Sequence, residues 1–129
     1  MAKTLTRTVL VSSASLSAGS TQRGRIDLST FDGGSITFRI TNGATGPTLQ
    51  CEGRILVAHK DTTMPAAASE GTGDLDWKQI YAIGGGTNNN ASTRGYYTFG
   101  PGIAYLEVEF TGNTAQAVTI EAHATTYVY

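Results

Sequence analysis

The segment Ala104–Tyr129 constrains the fold more than any other part of the chain. Leu106, Val108 and Phe110 alternate with Glu107 and Glu109. A Gly-Asn turn follows within Thr111–Thr114, and then Val118, Ile120, Ala122 and Ala124 alternate with Thr119, Glu121, His123 and Thr125. Side chains along a strand point to opposite faces with period two, so each run reads as a strand with one buried and one wet face. Joined by a Gly-Asn turn, the two runs predict a β-hairpin.

Most of the chain follows the same grammar. Lys3–Val11 reads as a first strand with Leu5, Val9 and Val11 on one side, and the small polar stretch Ser12–Gly19 reads as a connection. Strands are predicted at Gln22–Leu28 and Ser35–Thr41, the latter with Ile36, Phe38 and Ile40 inside. Leu49–Lys60 is a long alternating run in which Leu49, Cys51, Ile55 and Val57 share a face with Gly53. A glycine there argues for a bulge or close packing. Further strands are expected at Trp77–Ile83 and Arg94–Phe99. Asp61–Asp74 carries no strand period; Ala66–Ser69 could form one helical turn after Pro65. A stretch of that length without structure of its own often contacts something.

About eight short strands, separated by Gly, Pro and Asn turns and accompanied by no convincing helix, predict an all-β fold. The expected architecture is an antiparallel β-sandwich or a jelly-roll-like arrangement. At 129 residues the expectation is a single β-sandwich domain over residues 1–129, with residues 1–11 a candidate N-terminal interaction arm.

Charge is sparse, with a formal net charge of −1, and lacks the basic footprint of a nucleic-acid binder. Arg23 and Arg25 are followed at once by Asp27 and read as a solvated strand face. A weakly charged surface rich in Thr, Ser, Gly and Asn has little self-repulsion, which hints at an assembly. No apolar run approaches the ~20 residues of a membrane span. The one cysteine, Cys51, reads as a small buried hydrophobe. With no secretory apolar run at the start, the expectation is synthesis in a reducing cytosol.

Candidate chemistry is thin. Gly84–Ser92 has the glycines of a phosphate cradle but neither its Lys-Ser/Thr nor a following helix, so it reads as a loop. Asp74 and Asp76 lack the further oxygen ligands of a calcium loop. His59 and His123 could meet across a sheet, yet have no third ligand in register. Glu107 and Glu109, with Glu121 nearby, read as wet-face carboxylates that are solvated or paired with Arg, not as a glycosidase dyad facing across a cleft. No Gly-x-Ser-x-Gly elbow occurs. The expectation is therefore no catalytic, cofactor-binding or metal-binding residue, no cofactor and no enzyme activity. Among the aromatics, Trp77 and Phe99 read as core, and Tyr127 and Tyr129 as surface or interface. Tyr81, Tyr96, Tyr97 and Tyr105 either pack between sheets or form a platform for a sugar or a protein partner.

Three stretches, Ile26–Thr48, Trp77–Ile83 and Gly112–Ala122, together resemble the small all-β virion structural proteins of tailed bacteriophages, the head decoration (cement) proteins and minor head or tail proteins. The resemblance spans most of the chain, and its motifs are turn phrases with no functional residue to carry over. It implies a non-enzymatic protein, made in the bacterial host cytoplasm and located in the virion, that decorates and stabilises the capsid by binding the major capsid protein or other virion proteins. It further implies a homotrimer, since icosahedral shells offer three-fold sites, and neither a nucleic-acid nor a membrane partner. The alternative is a carbohydrate- or receptor-binding sandwich of a tail or head fibre, in which Tyr96 or Tyr97 would contact a glycan.

Overall fold

The computed structural model describes residues 2–59, 62–66 and 77–129. The described residues contain eight strands: β1 (Thr4–Leu16), β2 (Gln22–Asp27), β3 (Gly33–Asn42), β4 (Glu52–Ala58), β5 (Lys78–Gly84), β6 (Ser92–Phe99), β7 (Tyr105–Thr111) and β8 (Val118–Val128). They form two four-stranded sheets, ordered β1-β8-β3-β6 and β2-β7-β4-β5, and every pairing is antiparallel. Six of the seven connections in strand order cross from one sheet to the other, and only β4 and β5 are consecutive and paired. This is an eight-stranded jelly roll, as the alternation predicts.

β7 and β8 are not a hairpin. β7 lies between β2 and β4, and β8 lies between β1 and β3 in the other sheet. The connection after Thr111 turns through positive φ at Gly112 (101°) and Ala115 (69°). The buried Asn113 side chain anchors it, its Nδ2 donating to the carbonyls of Leu16 (3.2 Å) and Gln116 (2.9 Å). Alternation reports a half-buried strand but not which strand lies beside it.

The core lies between the sheets. Ile36, Phe38, Ile40, Val118, Ile120, Ala122 and Ala124 face Ile26, Ile55, Val57, Leu106, Val108 and Phe110. Phe38 is its keystone, meeting the rings of Tyr81 and Phe110 edge-on at centroid distances of 6.0 and 6.2 Å. Gly53 and Gly95 leave room for it: a Cβ at either would lie 2.9 or 2.6 Å from the Phe38 ring. The glycine inside β4 thus serves close packing.

β1 departs most from expectation. It runs on through Ser12–Ser15, because two register shifts, between Val9 and Val11 and between Val11 and Ala14, carry the strand past its non-alternating stretch. The shifts also change its phase. Val11 is buried, whereas Leu5 and Val9 stand 50% and 57% exposed on the outer face. From Thr4 onward the expected arm is built into the first sheet, paired with β8 starting at Thr4–Val128. Leu49 likewise lies outside β4 and is exposed, and Phe99 is only partly buried against the core. The helical turn expected at Ala66–Ser69, like Asp74 and Asp76, falls wholly or mainly outside the described residues.

Candidate functional site

A two-layered sandwich offers two outer faces, and here they differ. Over β4 and β7 the outer face of the second sheet is covered by the chain itself. Leu56 and Ala58 of β4 point outward, opposite Glu107 and Tyr105 of β7. Leu56, Ala58, Tyr105 and Trp77 form a separate buried apolar cluster, with Met64 and Ala104 packed against it. Trp77 is therefore core-like, as expected, but it lies outside the sandwich. Its indole Nε1 donates to the Ala66 carbonyl at 2.8 Å, and the Arg25 guanidinium donates to the Pro65 carbonyl. These contacts tie Pro65, Ala66 and Trp77 down over the sheet.

Beneath this cover lie the glutamates expected on a wet face. Glu107 and Glu109 are fully buried. Glu109 accepts from Arg23 Nε on β2 at 2.9 Å and pairs with Arg54 on β4 at 3.4 Å, and Arg54 also holds Glu52 at 2.7 Å. The register explains the set, since Arg23 and Arg54 flank Glu109 from its two neighbouring strands. A carboxylate held between two guanidiniums is engaged as an acceptor from both sides, and among the described residues nothing sets a second carboxyl across a cleft from it. Glu121 belongs to the other sheet and does not join them.

The histidines are likewise separated. His59 follows β4, with Nε2 3.0 Å from the Gly102 carbonyl, while His123 sits on the outer face of the first sheet, 3.7 Å from Glu121. Among the described residues, no three His, Cys, Asp or Glu side chains gather as a metal site, and no helix is long and apolar enough to cross a membrane. Cys51 is buried, and burial pushes its thiol up to about 11, away from nucleophilic use. The Gly84–Ser92 loop is organised by Asn42, whose Nδ2 donates to the carbonyls of Gly85, Gly86 and Asn88 at 2.9–3.3 Å. It is a loop, as its sequence reads, and its carbonyls already serve a buried amide.

The outer face of the first sheet is open. Its cross-strand rows run Val9–His123–Thr37–Tyr96 and Glu121–Arg39–Arg94, with Leu5–Tyr127 toward one end. Three depressions indent it. One of about 370 Å³ lies over β3, β6 and β8 and is lined by Thr37, Arg39, Arg94, Tyr96, Glu121 and His123. A second, about 340 Å³, shares Tyr96 and reaches Leu5 and Tyr127. A third, about 300 Å³, lies between β1 and β8 at Arg7, Val9 and His123. Of the six large apolar side chains exposed among the described residues, Leu5, Val9 and Tyr96 are on this face, and Tyr129 follows β8 at its end. Tyr96 (61% exposed) and Tyr97 part company: Tyr97 turns inward against Tyr81 at 5.6 Å. The sequence carries the Tyr96 signal in the alternation of β6, but the Arg39–Arg94–Glu121 row needs the strand register and was not legible.

No protein-family model matches the chain, and no curated protein sequence matches it. Solved structures similar to it include the SPBc2 prophage-derived protein YomS, at 18% identity and a TM-score of 0.48, with 97% of this chain and 96% of that chain covered. Family 16 Carbohydrate Binding Module-2 is similar at 13% identity and a TM-score of 0.48, over 91% of this chain and 76% of that chain. The structure of infectious bursal disease virus Gx strain is similar at 9% identity and a TM-score of 0.49, over 99% of this chain but only 33% of that chain. At these values none transfers a function, a ligand or a partner to this chain.

Proposed function

We propose that the protein is a non-enzymatic structural component of a phage virion that decorates and stabilises the capsid by binding major capsid subunits, as a homotrimer. One observation carries this reading. β1 is a 13-residue strand at the edge of its sheet, with Arg7 as its sole charge and no proline, and it exposes Leu5 and Val9. Natural edge strands are usually short, charged or interrupted, because an open ladder recruits other chains. The stretch Thr4–Val9, ahead of the two bulges, leaves an open ladder beside exposed apolar side chains, which fits a strand meant to be met by a partner. The clamping of Glu109 between two arginines supports a structural use of the acids on β7.

The test is co-sedimentation with undecorated capsids. Wild-type protein is expected to bind at fixed stoichiometry, and deletion of residues 2–10 to abolish binding. Because that deletion also bares β8, Leu5→Asp combined with Val9→Asp is the companion variant. Each side chain is already half covered, so together they stand to lose about 2 kcal/mol of burial, roughly thirtyfold in affinity. Undiminished binding by a folded double variant rejects the assignment of β1. Sedimentation velocity is expected to give a trimer, and a monomer at high concentration rejects that part.

A further inference from the structure

We propose that the cavity over β3, β6 and β8 binds an acidic sugar, a uronate-type unit of a polysaccharide. Glu121 of β8, Arg39 of β3 and Arg94 of β6 are direct cross-strand neighbours on the outer face. Arg39 Nη2 lies 2.9 Å from Glu121 Oε1. Arg94, opposite Arg39, has no ion pair among the described residues. Directly opposed like charges, with Cβ atoms about 5 Å apart, destabilise a sheet. An anion seated by Arg94 would extend the alternation of signs across the sheet, and a planar carboxylate matches the guanidinium fork.

The rest of the lining narrows the class. Tyr96, one row along from Arg94 on the same face of β6, presents an exposed ring beside the guanidiniums. A flat apolar C–H face stacks on such a ring, and uronates join that face to a carboxylate on one rigid ring. Thr37, Glu121 and His123 supply donors and acceptors for hydroxyl groups around the same cavity. A free phosphate or sulfate would use the arginine and leave Tyr96 idle, and an acidic peptide side chain has no flat face to stack. The volume of about 370 Å³ lies at the small end of the range for small-ligand sites, enough for one or two sugar rings. None of the β1 residues used for capsid docking lines this cavity, so the two readings stand or fall separately.

The experiment is an amide-resolved NMR titration of the intact protein with trigalacturonate, with neutral galactotriose and inorganic sulfate as controls. Trigalacturonate is expected to shift Thr37, Gly95 and Tyr96 saturably, and the neutral sugar to bind about tenfold more weakly or worse, the factor of one lost charge-assisted pair. Arg94→Ala should erase the preference for the acid, and Tyr96→Ala should weaken both sugars. Both side chains are exposed, so both variants should fold, which melting curves check. The proposal is overturned by the absence of saturable shifts at tens of millimolar, by equal binding of acid and neutral sugars, or by sulfate binding as tightly as the uronate without need of Tyr96. It is also overturned if the pocket variants abolish capsid binding while no sugar binds, because the cavity is then a protein contact.

Discussion

Trp77 tests whether the cover over the second sheet is an integral part of the fold. It is fully buried, yet its neighbours Leu56, Ala58, Tyr105 and Met64 form a cluster outside the sandwich core. Replacing it with alanine removes the largest side chain of that cluster and the hydrogen bond to the Ala66 carbonyl. Buried Trp→Ala changes cost about 3–5 kcal/mol when the cavity cannot collapse. Trp77→Phe keeps most of the packing and loses the indole donor, leaving the Ala66 carbonyl to find water, for about 1–2 kcal/mol. For a domain of this size 1 kcal/mol moves the melting temperature by roughly 4 °C, so the alanine variant should melt roughly 15 °C lower. Urea unfolding followed by circular dichroism measures both variants on one scale. The lone tryptophan adds a check: native fluorescence should be blue-shifted and move red in the same transition as the dichroism. A cost below about 1 kcal/mol for Trp77→Ala, or a fluorescence transition that precedes global unfolding, refutes the argument. The cover would then be a peripheral flap.

Two further outcomes follow from burial and charge. Glu109→Ala removes one partner from each of Arg23 and Arg54, but both are about a third exposed and can turn to water, and Arg54 keeps Glu52, so the loss should be about 1–3 kcal/mol and not the larger penalty of a sealed pair. A double-mutant cycle with Arg23→Ala in urea measures the coupling, and a value near zero refutes the pairing. The Cys51 thiol should resist alkylation in the native state at pH 8, where burial and a value of about 11 leave roughly a thousandth of it as thiolate, and should react at once in denaturant. The sign is fixed by desolvation: raising the pH toward 11 should speed the native reaction, and fast labelling at pH 8 without unfolding refutes the burial.

How far the sequence discloses this molecule depends on what alternation encodes. β2 through β8 stand close to where period-two patterns place them, because each buries one face against a common core. β1 was half hidden: Ser12–Ser15 has no apolar alternation, and its phase is reset twice by bulges that only pairing with β8 reveals. The β7–β8 hairpin misled because alternation is blind to partners. The stretch from Gly112 to Ala117 is long for a tight hairpin turn, and that was the available warning. The burial of Glu107 and Glu109 was unreadable from β7 alone. It required arginines at matching register on β2 and β4, and Trp77 and Pro65 brought back over the sheet from the β4–β5 connection.

These corrections also decide where a partner can be met. The acids of β7, which looked like the wettest row in the chain, are enclosed, so they offer a partner no row of carboxylates. At the sides the two sheets approach each other. A Cβ at Gly24 would collide with the Leu10 backbone, bringing β2 against β1, and a Cβ at Gly95 would reach Ile83 within 3.1 Å, bringing β6 against β5. The first sheet's outer face stays open, as does the part of β1 that precedes Leu10, where Leu5 and Val9 are exposed. Interaction by strand addition belongs to that edge, and recognition of a small polar ligand belongs to the arginine and tyrosine rows beside it. A charge at Val9 should therefore disturb the first and spare the second, while Arg94→Ala should do the reverse.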